Sequence, residues 1–281
     1  MKIAIVADTH FSSADQLLVA NWRAAESWIA ETIPALTIHL GDISADGVTS
    51  AAELEHARRL FAGCQSPLRF IPGNHDIGDH AAGPEETTDA PFSSVRLAEY
   101  RTLFGMDRWS TMQGRWKLIG LNAPVLATGL LEEAEQYRWL ESELADHEGP
   151  LGIFIHKPLF RDTLAEGIVH TRYVPLSARV RLDALLRSRD LRFVCAGHTH
   201  QVRQNAVEGV EHVWAPSTAF TVPDFRQERI GEKLVGTLLL ELEEDRHRFT
   251  HVIPAGMVAH DLMEFEHIYP ALRHIRSRPR Q

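Results

Sequence analysis

Apolar and polar positions in the first third of the chain switch between two periods. Lys2–Ala7 reads as a buried strand. Apolar Leu17, Leu18, Trp22, Ala25, Trp28 and Ile29 then recur at helical spacing to about Glu31, behind a Ser13-Ala14-Asp15-Gln16 capping-box signal. Pro34 closes that helix. Leu36–Leu40 predicts a second strand, Ser50-Ala51-Ala52-Glu53 opens a helix running to about Ala62, and Leu68–Ile71 predicts a third strand. Strands alternating with helices in this way predict a mostly parallel sheet with helices on its faces.

The middle of the chain continues the alternation around two irregular insertions. Ile77–Ser94 is rich in Gly, Pro and acidic residues and has no period, which suits either a lid or a mobile connector. Val95–Phe104 predicts a helix, Arg115–Leu121 a strand, Glu133–Ala145 an amphipathic helix and Leu151–Ile155 a buried strand. Leu159–Pro175 is the second insertion, before a helix over Ser177–Ser188 and a strand over Leu191–Ala196. Beyond His200 the pattern becomes strands joined by turns: Gln201–Val207, Val210–Trp214, Lys233–Leu242 and Arg246–Ile253 predict antiparallel strands, with a hairpin turn at Glu208-Gly209. Leu262, Phe265, Tyr269, Leu272 and Ile275 fit one amphipathic helix packed on the body, with a homo-oligomer contact as its alternative use. Residues 276–280 read as a frayed tail. Without a repeat or a linker, residues 1–281 read as one domain, with a core of about 1–215 and C-terminal strands and helix over about 216–281.

Composition narrows the functions. A net charge of −9 argues against a nucleic-acid polymer as partner, since such binding rests on clustered Lys and Arg, but it leaves room for a small phosphorylated substrate held through metal ions. No apolar run reaches the ~18 residues of a membrane span, and the acidic start at Asp8 does not suit a signal peptide. Two cysteines, Cys64 and Cys195, supply no disulfide framework, so a cytoplasmic setting is expected. The chain carries 16 histidines, and those at strand ends are the ones that merit a chemical reading.

Five predicted strands end in ligand-type residues: Asp8 and His10; Asp42; Asn74, His75 and Asp76; His156; His198 and His200. Asp, Asn and Gly are common at any loop start, so each alone says little. Parallel sheets gather ligands outside the carboxyl ends of their strands, and all five sets fall there. Nitrogen and oxygen donors without a thiolate suit Zn²⁺, Mn²⁺, Fe or Mg²⁺, in a number that matches two ions.

Taken in order, Asp8-Thr9-His10, Gly41-Asp42, Gly73-Asn74-His75-Asp76, His156 and Gly197-His198-Thr199-His200 resemble the calcineurin-like metallophosphoesterases. Size and the brief Gly41-Asp42-Ile43-Ser44 segment look most like the bacterial class III cyclic-nucleotide and glycerophosphodiester phosphodiesterases. The resemblance implies an α/β fold of four layers, two mixed sheets packed as a sandwich and flanked by helices. By matching position it implies Asp8, His10 and His200 on one metal, Asn74, His156 and His198 on the other, and Asp42 bridging both. It also gives His75 contact with the phosphate or protonation of the leaving oxygen, with Asp76 fixing its orientation and Asn74 near the substrate. Lys157 stands where relatives often carry a second histidine, and reads as a solvated side chain or a phosphate-directed cation. Ala45 stands where relatives often carry Asn or Asp.

The implied activity is hydrolysis of a phosphodiester in a small soluble substrate, by in-line attack of hydroxide held on the metal pair. A phosphomonoesterase is the alternative within catalysis. A non-catalytic protein-binding scaffold is the alternative outside it. Arg161, His170 and Arg172 in the second insertion read equally as substrate contacts or surface charges.

Overall fold

Apolar runs become strands in the order the periodicity predicts. The computed structural model describes residues 1–80, 90–167 and 170–273. β1 (Lys2–Val6) leads to α1 (Leu17–Thr32), which starts beyond its predicted cap: Asp15, rather than Ser13, accepts the Leu17 N–H at 2.6 Å. Ser13 instead donates its backbone N–H to Glu53 at 2.9 Å, so neither expected capping box forms and the two signals are joined to each other. β2 (Leu36–His39), α2 (Ala51–Leu60), β3 (Leu68–Phe70), the single turn α3 (Asn74–Ile77) and α4 (Ser94–Phe104) follow. Next come β4 (Trp109–Gln113), β5 (Trp116–Leu121), α5 (Leu131–Leu144), β6 (Leu151–Ile155), α6 (Leu176–Leu186) and β7 (Leu191–Ala196). The chain continues through β8 (Arg203–Val207), β9 (Val210–Trp214), β10 (Phe220–Thr221), β11 (Thr237–Leu242), β12 (His247–Val252) and β13 (His260–Asp261).

Two mixed sheets carry the fold. The first runs β12-β11-β1-β2-β3, with β1, β2 and β3 parallel and β11 antiparallel to β1, Ile3 opposite Leu240 and Ile5 opposite Leu238. The second runs β4-β5-β6-β7-β9-β8, with parallel inner strands and antiparallel β4 and β8 at its edges. Val210–Trp214 was expected to be antiparallel throughout; the Glu208-Gly209 hairpin instead returns β9 parallel to β7.

Alternation along the strands sorts the side chains into layers. Ile3, Ile5, Trp116, Leu118, Phe193 and Cys195 meet between the sheets. On the outer face of the first sheet Ala4 and Val6 pack with Trp22, Ala25 and Ile29 of α1. On the outer face of the second, Ile119 and Leu121 pack with Tyr137 and Leu140 of α5 and Leu182 of α6. The result is helix, sheet, sheet, helix.

The expected C-terminal helix does not form over the described residues. Leu262–Phe265 and Pro270–Leu272 are separate tight 3₁₀ turns, with Tyr269 between them in non-helical backbone (φ −114°, ψ 80°). Pro270 explains the break: it lacks an N–H and disfavours helical backbone in the residue before it. Phe265 is nonetheless buried against Leu18, Ala219 and Phe220, so the segment packs on the body. Ile275 and the expected frayed tail lie outside the described residues. So do residues 81–89 of the first insertion, whose neck is closed by Asp79 N–H to Ala90 O at 2.9 Å and Phe92 N–H to Asp79 O at 2.7 Å. Among the described residues no helix is long and apolar enough to cross a membrane.

Candidate metal centre

The carboxyl ends of β1, β2, β3, β6 and β7 open onto one crevice, and the backbone there is unusual. Among the described residues eight non-glycine positions have positive φ, and five of them are Asp8, His10, Asp42, His198 and His200. Such backbone costs of order 1–3 kcal/mol per residue and persists where surrounding structure holds it. Here the loops hold one another: Asp8 N–H donates to Gly41 O at 3.0 Å, His10 N–H to Asp42 O at 3.1 Å, and His198 N–H to the Asp8 carboxylate at 3.0 Å. Gly73 permits the closest approach, because a Cβ there would stand 2.1 Å from Asp42 Oδ1.

Donor atoms converge in two groups around Asp42. On one side His10 Nε2 lies 3.1 Å from His200 Nε2 and 3.9 Å from Asp42 Oδ2, and His200 Nε2 lies 3.7 Å from Asp8 Oδ1. On the other, His156 Nε2 lies 3.3 Å from Asp42 Oδ2, 3.1 Å from His198 Nδ1 and 3.2 Å from Asn74 Oδ1. Asp8, His10 and His200 group within 4.8 Å, as do Asp42, His156 and His198, and also His10, Asp42 and His75. Thus the structure brings together Asp8, His10, Asp42, Asn74, His75, His156, His198 and His200.

Outer hydrogen bonds orient the imidazoles. A carbonyl only accepts, so Nδ1–H of His156 donates to Leu40 O at 2.8 Å and that of His200 to Phe220 O at 2.7 Å, aiming each Nε2 inward. His75 Nδ1–H donates to Ala45 O at 2.8 Å. Gly41 N–H meets His39 Nδ1 at 3.2 Å while His39 Nε2 contacts the Thr9 hydroxyl at 3.0 Å, a buried brace between the first two strand ends.

Burial sets the electrostatics. It drives His10 and His198 well below the ordinary histidine range and His200 down to about 4, and it raises Asp8 well above the carboxylate range. Burial acts in the same way on Asp42, but the neighbouring His156 overcomes it and holds that carboxyl well below 3.8. Burial likewise opposes charge on His156, and Asp42 wins, lifting it to about 9.

The donor set fits cations. Ligand bonds of about 2.1 Å at octahedral corners put neighbouring donors about 3 Å apart, near the spacing found here. Burial keeps His10, His198 and His200 neutral, the form a cation takes up, whereas His156, held charged by Asp42, would release its proton on binding one. Asp8, His10 and His200 would hold one ion, Asn74, His156 and His198 the other, and Asp42 lies between them.

Two expectations change. Asp76 does not touch His75: its carboxylate accepts from the backbone N–H groups of Gly73 (2.8 Å), Ile43 (3.0 Å) and Ser44 (3.0 Å). It ties the β2 loop to the β3 loop, and Ala45, through its carbonyl rather than its side chain, orients His75 instead. Burial first, then Asp42, raises Asp76 to about 6. Lys157 is not solvated; it is fully buried, donating to Asp79 Oδ1 at 2.6 Å and to the Thr171 carbonyl. Its charge faces the two insertions, not an open phosphate site. Arg161 pairs with Asp162 and Glu228 at 3.0 and 3.1 Å.

Sequence reasoning missed Asp79, whose partner Lys157 lies 78 residues away, and Tyr269, whose hydroxyl sits 2.9 Å from His10 Nδ1. Neither carries a local signal. A lone aromatic beside a proline was the available hint for Tyr269.

A model of the calcineurin-like phosphoesterases matches residues 1–202. Among solved structures, a dimetal phosphatase from Danio rerio is similar at 13% identity and TM-score 0.63, covering 89% of this chain and 95% of its own. A purple acid phosphatase from yellow lupin (Lupinus luteus) seeds is similar at 14% identity and TM-score 0.67, over 93% of this chain and 52% of its own, so this chain spans about half its length. GAP50, the anchor in the inner membrane complex of Plasmodium, is similar at 12% identity and TM-score 0.64, over 92% of this chain and 86% of its own. No curated protein sequence matches.

Proposed function

The chain belongs to the calcineurin-like phosphoesterases, and from that premise we propose that it is a two-metal phosphodiesterase acting on a small soluble substrate of cyclic-nucleotide or glycerophosphodiester type. The observation that carries this reading is the pair of donor groups meeting at Asp42, in a chain with the fold of dimetal phosphoesterases. Bound there, two cations would supply Lewis acidity toward phosphoryl oxygens and toward water.

The chain's own residues set the rest of the chemistry. Asp42 Oδ1 accepts the His75 backbone N–H at 2.9 Å, so the candidate acid and the central carboxylate move as one. His75 Nδ1 is held by Ala45 O, which leaves Nε2 to deliver a proton to the departing alkoxide when the ring is cationic. Asn74, His75 and His198 are partly exposed while the other donors are buried, so substrate enters across these three. Asp76 acts as a positioning residue through Ile43, Ser44 and Gly73.

Charge favours a diester. A monoester dianion calls for extra cations, yet Lys157, next to His156 in sequence, is bound to Asp79. The reading takes the chain as one domain, supported by β11 from the C-terminal part pairing with β1. Two unpaired cysteines, one of them buried, suit the cytoplasm. Steady-state hydrolysis of bis(4-nitrophenyl) phosphate and 4-nitrophenyl phosphate by Mn²⁺-loaded protein tests it. A higher kcat/KM on the diester is expected. Preference for the monoester would remove the diester assignment, and inertness on both with two metals bound would remove the enzyme reading.

A further inference from the structure

Tyr269 stands at the open side of the centre, 259 residues from the histidine it touches. Its ring lies edge-on to His10 and His75, with centroids 6.1 and 5.9 Å away. The segment that delivers it is firmly built. Phe265 is fully buried, Tyr269 N–H donates to the Phe265 carbonyl at 2.9 Å, and His267 pairs with Asp15 at 2.7 Å. Tyr269 itself stays partly exposed, whereas His10 beneath it is buried.

Counting protons defines what the hydroxyl is free to do. His10 Nε2 points toward His200 and Asp42, at 3.1 and 3.9 Å, and holding a cation there uses its lone pair. Nδ1 then carries the ring hydrogen and donates it to Tyr269 Oη. The phenol keeps its own hydrogen, and among the described residues His10 is the one hydrogen-bond partner shown for its hydroxyl. The His75 ring stands beside the phenol, so a group bound against His75 is placed to accept that hydrogen.

We propose that Tyr269 is a substrate-contacting residue whose O–H donates to a non-bridging oxygen of the phosphoryl group. The inference rests on the phosphoester reading of the centre. It makes the C-terminal segment part of the catalytic surface rather than a packing element. A neutral donor here would hold the phosphoryl oxygen without adding charge, as suits a monoanionic diester.

The test uses the full-length Mn²⁺-loaded protein and its Tyr269→Phe variant, which keeps the ring and removes one oxygen. Inorganic phosphate is titrated calorimetrically, metal content is measured after gel filtration, and kcat/KM is taken on bis(4-nitrophenyl) phosphate. A hydrogen bond to a charged oxygen predicts phosphate binding weaker by about tenfold and kcat/KM lower by about tenfold to a hundredfold. Two metals per chain and an unchanged thermal midpoint should accompany that loss. Phosphate affinity within twofold of wild type would overturn the contact. So would metal loss with unaltered phosphate affinity in the loaded fraction, the signature of a residue that only positions His10. If wild-type protein neither binds phosphate nor hydrolyses the diester, the reading of the centre falls and takes this inference with it. If wild type does both and the variant matches it, only the role of Tyr269 falls.

Discussion

Replacing Gly73 with alanine puts the geometry of the centre under direct test. A Cβ at that position would stand 2.1 Å from Asp42 Oδ1 and 2.2 Å from the Asp42 backbone nitrogen. Ordinary contact needs about 3.5 Å, so Asp42 must retreat by roughly 1 Å or more. The Gly73 backbone (φ −104°, ψ −178°) is open to alanine, so the cost is contact and not torsion. Half of the obstacle is backbone and cannot swing aside. Overpacking of this kind costs about 1–3 kcal/mol, and each kcal/mol lowers the melting temperature by roughly 2–4 °C in a chain near this size. Function should suffer more than stability, because metal and catalytic groups tolerate displacements of only about 0.5 Å. Asp42 Oδ2 lies 3.3 Å from His156 Nε2 and 3.9 Å from His10 Nε2, so one shift disturbs both donor groups. Metal content, thermal melting and diester hydrolysis are measured together, with Gly167→Ala as control, since nothing lies within 4 Å of a Cβ there. Full metal occupancy and wild-type turnover in Gly73→Ala would refute the reasoning.

Further substitutions probe separate parts of the argument. His75→Ala should retain metal while lowering turnover by about 10²–10⁴-fold, most on poor leaving groups; normal rates on an alkyl diester would remove His75 as proton donor. Lys157→Met leaves Asp79 buried without its cation and should cost about 3–5 kcal/mol in urea unfolding, with much of the loss recovered in the Lys157→Met, Asp79→Leu double variant. Burial holds His212 down at about 4 against its ordinary 6.5, so the unfolded chain takes up this proton first. Stability in place above pH 6.5 is therefore lost as pH falls toward 4, by up to about 3 kcal/mol, and His212→Phe should flatten that part of the stability curve.

The strand ends were legible because buried strands leave a strong mark, short apolar runs ending in Gly, Asp or His. Residues 191–196 and 151–155 have the predicted bounds for that reason. β4 escaped notice because it is an edge strand, Trp109-Ser110-Thr111-Met112-Gln113, with one buried residue and no clear alternation. The C-terminal segment misled because the three- and four-residue spacing of an amphipathic helix also serves 3₁₀ turns packed on a surface; Pro270 was the discordant residue. The motifs marked which residues meet at the crevice, whereas the partners of Asp76, Lys157 and Tyr269 depend on loops distant in sequence. A carboxylate after a histidine suggests an acid–base pair, yet the turn of α3 directs Asp76 toward backbone N–H groups on the opposite side.

One consequence of the strand order concerns how the protein is made. A ribosome delivers Asp8 and His10 first, but β1 gains its β11 neighbour only when residues 237–242 emerge, and Tyr269 follows later still. With 259 residues between His10 and Tyr269, translation at about 5–20 residues per second imposes a delay of roughly 13–50 s. Throughout that interval the nascent chain carries its earliest donors without the strand and the phenol that complete their surroundings. Completion of the crevice thus waits on residues more than two hundred positions beyond its first donors.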